Sequence, residues 1–136
     1  MRIITDYTKK PKAQEVIVVG DRATVFVRKS IKSYKDEEGA TRYTAIEYST
    51  QVNATAFKMS DDFENLLIQA ETDKEAARVR AKRNALLDES DKEVMPDRKD
   101  EQAKSYDAWV KYRKALRDVP EQKGFPFEVE WPVKPE

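Results

Sequence analysis

Asp61-Asp62-Phe63-Glu64-Asn65-Leu66-Leu67-Ile68-Gln69-Ala70 is where the chain changes period. Before it, apolar residues cluster or alternate in twos; from it onward they recur in threes and fours. Asp61 and Glu64 have the spacing of a capping box, in which one side chain accepts from the amide three residues on and the other reaches back. Phe63, Leu66, Leu67, Ala70, Ala77 and Ala81 continue near helical spacing, and Leu86 and Leu87 close the pattern. Neither Pro nor Gly occurs from 61 to 95. One helix over 61–88, roughly 40 Å long at its rise per residue, is therefore expected. Its middle is mostly polar, so it needs packing against something to persist.

Upstream, residues 1–59 read as β structure. Glu15-Val16-Ile17-Val18-Val19 is an apolar run closed by Gly20-Asp21, and Thr24-Val25-Phe26-Val27-Arg28 resumes it. Two such runs around a Gly-containing break predict a hairpin. A third segment, Ile31 to Tyr34, meets the polar break Lys35-Asp36-Glu37-Glu38-Gly39, where Gly39 suits a turn with positive φ. Arg42 to Val52 is the next strand, and a small antiparallel sheet of three or four strands is expected.

Downstream, Asp88 to Lys99 is a polar connection interrupted by Pro96, with Asp97 placed to cap a second helix over about 98–118. Gln102, Tyr106, Trp109, Tyr112, Leu116 and Val119 trace its face, widened by Ala103 and Val110, and Pro120 ends it. A short break between two helices predicts an antiparallel helical hairpin. In the tail, Phe125, Phe127, Val129 and Trp131 share one parity, so an extended strap would put all four on one side.

Composition narrows the chemistry. The 136 residues are 38% charged, well above the roughly 25% of an ordinary domain, so much of the chain is solvated surface around a modest core. There is no Cys and no His, which excludes disulfides, thiolate metal sites, thiol nucleophiles and the usual general base. Net charge is zero, with 11 basic and 7 acidic side chains before residue 61 against 15 and 19 after it. That is not the basic field of a general nucleic-acid binder, and near-neutrality favours association. No apolar run approaches a membrane span, and residues 1–12 lack the apolar core of a signal peptide.

The C-terminal half resembles a known family. Arg80-Ala81-Lys82-Arg83-Asn84-Ala85-Leu86-Leu87 followed by Ser90-Asp91 is similar to an R-x-x-R-x-x-L-L-x-x-[S/T]-D pattern common in phage and prophage tail genes. Trp109 to Val119 matches W-x-x-Y-R-x-x-L-R-D-[I/V], and Gly124-Phe125-Pro126 with Val129-Glu130-Trp131-Pro132 matches the closing F-P-x-x-V-x-W-P. These are patterns of the phage tail assembly chaperone group, and the resemblance spans roughly 78–133. It departs at Lys92, where the family often has Trp after the [S/T]-D pair. The opening Ile3-Ile4-Thr5-Asp6-Tyr7 and the strand Val25-Phe26-Val27-Arg28-Lys29-Ser30-Ile31 look similar to small proteins of prophage tail regions. The resemblance implies a role in tail or tail-fibre assembly.

The remaining polar clusters read as plain structure. Asp88, Glu89, Asp91 and Glu93 could in principle supply a carboxylate pair, but a solvated connection explains them. Asp36, Glu37 and Glu38, like Asp88 and Asp91, lack calcium-loop spacing. The basic cluster Lys74, Arg78, Arg80, Lys82 and Arg83 is interleaved with Glu71, Asp73 and Glu75 and contains no stacking aromatics, so a salt-bridged helix face is expected rather than a DNA-binding surface.

The expectation is thus an α+β protein with a β domain over 1–59 and a helical hairpin with an extended aromatic, Pro-containing tail over 60–136. The resemblance implies a non-catalytic, cofactor-free factor that binds a tail or tail-fibre protein, placed in the host bacterial cytoplasm with the virion tail as its second location. It is expected to use no nucleic acid or membrane, and it could self-associate. A permanent tail-tip or fibre-attachment module is the rival reading, and a DNA-binding adaptor a more distant one. Trp109, Tyr112, Arg113, Arg117, Phe125, Phe127 and Trp131 are the candidate partner-binding residues, since Trp, Tyr and Arg dominate interface hot spots. Arg113 and Arg117, one turn apart, could together hold a carboxylate.

Overall fold

Gly20, at φ +64°, and Asp21 turn the chain tightly enough that Val19 faces Arg22. The computed structural model describes residues 1–101 and 103–136. The hairpin so formed joins β2 (Gln14–Val19) to β3 (Arg22–Lys35), preceded by β1 (Arg2–Tyr7) and followed by β4 (Thr41–Asn53). The four strands make one antiparallel sheet in the order β1-β4-β3-β2. After it come α1 (Asp61–Glu89), a 3-10 turn over Asp91–Val94, α2 (Pro96–Glu101), α3 (Ala103–Asp118) and a second 3-10 turn over Val119–Glu121. The class is α+β. The chain divides into two compact units, Met1–Glu71 and Thr72–Glu136.

In the first unit β3 is a single strand where the sequence reads as two. The interruption is a register shift between Lys29 and Lys32, with Ser30 at φ 52°, so the run bends without ending. Gly39 takes φ +79°, and Asp36 Oδ1 accepts from the amides of Glu38 and Ala40 to close the β3–β4 turn. β1 has no alternating pattern strong enough to announce it; pairing with β4 from Arg2↔Tyr48 to Tyr7↔Tyr43 makes it a strand.

One face of this sheet carries the core. Val27, Tyr48 and Leu67 are buried together, with Ile46, Met59, Phe63 and Ile68 against them. Phe57 meets Phe63 edge-on at 4.6 Å. On the other face Arg28, 7% exposed, has its Nε 2.8 Å from both Glu47 Oε2 and the Tyr7 hydroxyl. Its Nη1 reaches Glu15 Oε2 at 3.0 Å and the Lys12 carbonyl at 3.2 Å. A buried charge is tolerated only when satisfied to this degree. Burial, then the bond to Glu47, raises the Tyr7 pKa, so the phenol stays protonated.

The capping of α1 differs from the expected box. Ser60 Oγ, one residue before Asp61, accepts from the Phe63 amide at 3.1 Å. Glu64 is turned instead toward the sheet, where Gln14 donates to it and Lys29 pairs with it. The inward stripe keeps some of the expected positions and shifts others. Leu67 is buried and Phe63, Leu86 and Leu87 pack against the cores, Ala76, Val79 and Ser90 are buried as well, and Leu66, Ala70, Ala77 and Ala81 are exposed. Several inward positions, Glu64, Glu71 and Glu75 among them, are polar. A stripe built so largely of polar residues leaves little apolar periodicity to read.

The second unit holds a separate core of Trp109, Tyr112 and Leu116, with Leu86, Leu87, Val94 and Trp131 against it. Leu116 and Val119 are fully buried. Trp109 and Tyr112 meet edge-on at 5.7 Å, a favoured arrangement for aromatic quadrupoles. Pro96 opens α2 rather than merely interrupting the connection, as its fixed φ suits a first helical residue. Gln102 lies outside the described residues, so its place on the predicted face is not assigned.

The tail does not run as one extended strap. Residues 124–128 turn back on themselves, with the Glu128 amide donating to the Gly124 carbonyl at 2.7 Å, around a cis Phe125–Pro126 bond. The parity that would align Phe125 and Phe127 with Val129 and Trp131 is broken there. Beyond the turn, Gln122 exchanges two bonds of 2.8 Å with the backbone of Glu130, acting as a one-residue ladder partner.

Candidate functional site

Ser90 ends α1, and its position in the sequence pattern has a physical reason. Its hydroxyl, 2% exposed as a residue, donates to the Leu86 and Leu87 carbonyls at 2.8 and 3.0 Å, closing the last turn. Arg113 of α3 donates to that same Oγ at 2.8 Å and to the Leu87 carbonyl. Its Nη2 lies 2.6 Å from Asp91 Oδ1. One guanidinium thus satisfies a helix-end carbonyl, a buried hydroxyl and a carboxylate, its forked donors reaching them from two separate nitrogens. The contacts set α3 against the C-terminal end of α1.

The predicted residues have different fates. Trp109 and Tyr112 are buried in the core of the unit, and Arg113 is half-buried in the network just described. Phe125, Phe127 and Trp131 are half-buried, while Arg117 is exposed. Arg80 lies over the Phe125 ring at 5.2 Å, Lys82 over Trp131 at 4.4 Å and Lys134 over Trp109 at 5.9 Å. Part of the basic cluster on α1 therefore covers aromatic faces, a pairing without local signal because the rings lie more than forty residues along the chain. Arg78 does pair with Glu75, at 2.6 Å.

Arg113 and Arg117 do share a surface. With Val94, Tyr106 and Val110 they line a shallow depression of about 300 Å³ along α3. Val110 is 40% exposed. An aliphatic and aromatic floor beside the Arg117 guanidinium, with Arg113 paired to Asp91, suits an apolar side chain next to a carboxylate. Val94, on the 3-10 turn, carries no motif and is placed there only by the fold. Elsewhere in this unit, Glu93 pairs with Arg98 at 2.5 Å and Glu89 with Lys134 at 2.5 Å, so these carboxylates face cations. Among the described residues, no group of three or more His, Cys, Asp or Glu side chains could hold a metal ion.

Residues 76–136 match the family model described as phage tail assembly chaperone protein. The match begins inside α1 and continues to residue 136, so the whole sheet lies outside it. It falls on the segment whose motifs resemble that family. The [S/T]-D pair and the Y-R pair of the phage tail assembly chaperone pattern are Ser90-Asp91 and Tyr112-Arg113, which are bonded to each other here. The match supports a role in tail assembly. No curated protein and no solved structure matches the chain. Among the described residues, no helix is long and apolar enough to cross a membrane.

Proposed function

We propose that this protein acts without catalysis in phage or prophage tail morphogenesis, by holding a segment of a tail or tail-fibre protein in the depression along α3. The observation that carries the proposal is the match of residues 76–136 to the phage tail assembly chaperone family. The depression adds a chemical reason: Val94, Tyr106 and Val110 present apolar surface, and Arg117 adds positive charge, Arg113 being paired with Asp91. The client segment is then apolar with an adjacent Asp or Glu. Trp109, Tyr112 and Trp131 support this surface from within. In this reading the helical part, 60–136, does the binding in the host cytoplasm, the β part, 1–59, is a separate module, and neither nucleic acid nor membrane takes part.

The test follows the protein through assembly. A tagged chain is expressed during phage production, and purified particles are probed quantitatively for it. Association with a tail protein in the lysate and absence from finished particles is the expected result. Retention at a fixed ratio per particle overturns transient action and makes the chain a structural tail component.

A further inference from the structure

Beyond the turn over 124–128 the chain is neither helix nor strand, and side chains hold it in place. At one end the Gln122 side-chain amide takes both the N–H and the C=O of Glu130, at 2.8 Å each, and so reads backbone whatever its sequence. In the middle the Trp131 ring rests against the cluster of Trp109, Tyr112 and Leu116, with Lys82 Nζ 4.4 Å from its centre. At the far end Lys134 Nζ lies 2.5 Å from Glu89 Oε1 and 5.9 Å from the centre of the Trp109 ring. Pro132, with no N–H to satisfy and a fixed φ, suits an extended segment between these points. Five residues thus meet three selective contacts: a backbone clamp, an aromatic seat beside a cation, and a carboxylate facing an ammonium. All of them lie within the second unit.

The outer half of this hold is weak. The Lys134 and Glu89 side chains are 54% and 56% exposed, and ion pairs that open contribute little. We infer that the surface beneath residues 130–134 is a peptide slot with the chain's own tail as resident ligand, and that an extended segment of another protein takes it by displacing that tail. The segment carries an aromatic residue, Pro directly after it and Lys two places after the Pro. Charge complementarity selects it: an acidic residue in the place of the Lys repels Glu89, and an aliphatic one in the place of the aromatic forfeits Lys82. A second copy's tail is the poorer occupant. The turn that keeps each tail beside its own slot, closed by the Glu128 amide on the Gly124 carbonyl at 2.7 Å, must open before that tail can cross. The tethered tail competes with any free segment, whose apparent affinity is reduced by the fraction of chains with an open slot. The slot shares no side chain with the α3 depression, and an incoming aromatic replaces Trp131 against the core, so this inference stands apart from that reading.

The probe is a fluorescent synthetic peptide of residues 128–136, added to the full-length chain. Lys134→Glu, at an exposed position, sets the chain's own tail against Glu89 and is expected to bind the peptide at least tenfold tighter than the unsubstituted chain. Trp131→Ala, which empties the aromatic seat, is expected to bind it tighter still. A peptide carrying Trp131→Ala is expected to lose at least tenfold on the Lys134→Glu chain. In the unsubstituted chain the Glu130 amide, bonded to Gln122, is expected to exchange its hydrogen at least tenfold faster than the Leu116 amide inside α3. No peptide binding to the folded Lys134→Glu chain, equal binding of the two peptides, or equal exchange at Glu130 and Leu116 overturns the inference. A dimer of the unsubstituted chain that Trp131→Ala abolishes overturns the choice of occupant and gives the slot to a second copy's tail.

Discussion

Arg113 donates a hydrogen bond to the Oγ of Ser90 at 2.8 Å, joining the third helix to the residue that closes the first. The same guanidinium satisfies the Leu87 carbonyl and pairs with Asp91. Truncating it leaves a part-buried hydroxyl and a helix-end carbonyl short of a donor. Arg113→Ala is expected to cost about 2–3 kcal/mol in urea unfolding, in the range for losing a charged partner of buried polar groups. Arg113→Lys retains the charge without the fork and falls between the two.

Leu116 is fully buried among the aromatic residues of the second unit. Leu116→Ala leaves a cavity beside Trp109 and Tyr112 and is expected to destabilise by about 2–5 kcal/mol. Near-UV circular dichroism of the folded variant checks that the loss comes with loosened aromatic packing.

How much of this was legible in the sequence varies with how a residue signals itself. The β2–β3 hairpin was readable because Gly20 and two β-branched runs act locally, and Trp109, Tyr112, Leu116 and Val119 were readable because apolar residues in threes and fours define a face. The α1 stripe was legible only in part: Phe63, Leu67, Leu86 and Leu87 pack inward as their spacing says, whereas Leu66, Ala70, Ala77 and Ala81 face solvent and several inward positions are polar. β1 was not announced, because its pairing with β4 is a long-range event. At the site, the motif named Arg113 and Arg117 and left their roles open. That Arg113 braces a helix end, and that Val94 sits beside Arg117, depends on how the connection over 88–99 folds back, which its polar residues mark as a break without specifying its path.

Gly124 is a place where a side chain does not fit: an added Cβ would lie 2.2 Å from the Glu128 carbonyl oxygen. That carbonyl is backbone and must move for the chain to accept it. Gly124→Ala is expected to destabilise by about 1–3 kcal/mol, the range for overpacking. Limited proteolysis should then cut the tail after residue 122 faster than in the unsubstituted chain.

Glu64 supplies a pH dependence whose sign follows from its partners. Lys29 first, then Gln14, bond its carboxylate and lower its pKa below the usual carboxylate value, against an opposing effect of burial. A lowered folded-state pKa gives stability that is fully present above the unfolded value, about 4.3, and lost as pH falls through the folded value. Unfolding free energy measured from pH 6 downward should fall in the acid range, and Glu64→Gln should flatten that fall.

The most direct measurement is capture of a tail protein by the α3 surface during phage production. Tagged chain and its Val110→Glu variant, which puts a carboxylate into the apolar floor of the depression, are recovered from producing cells, and their partners are identified by mass spectrometry. A phage tail or tail-fibre protein bound to the first and at least tenfold depleted on the second, with both equally folded, is the result expected. Recovery of no tail protein, or of the same one in equal amount by both, would contradict client binding at this surface.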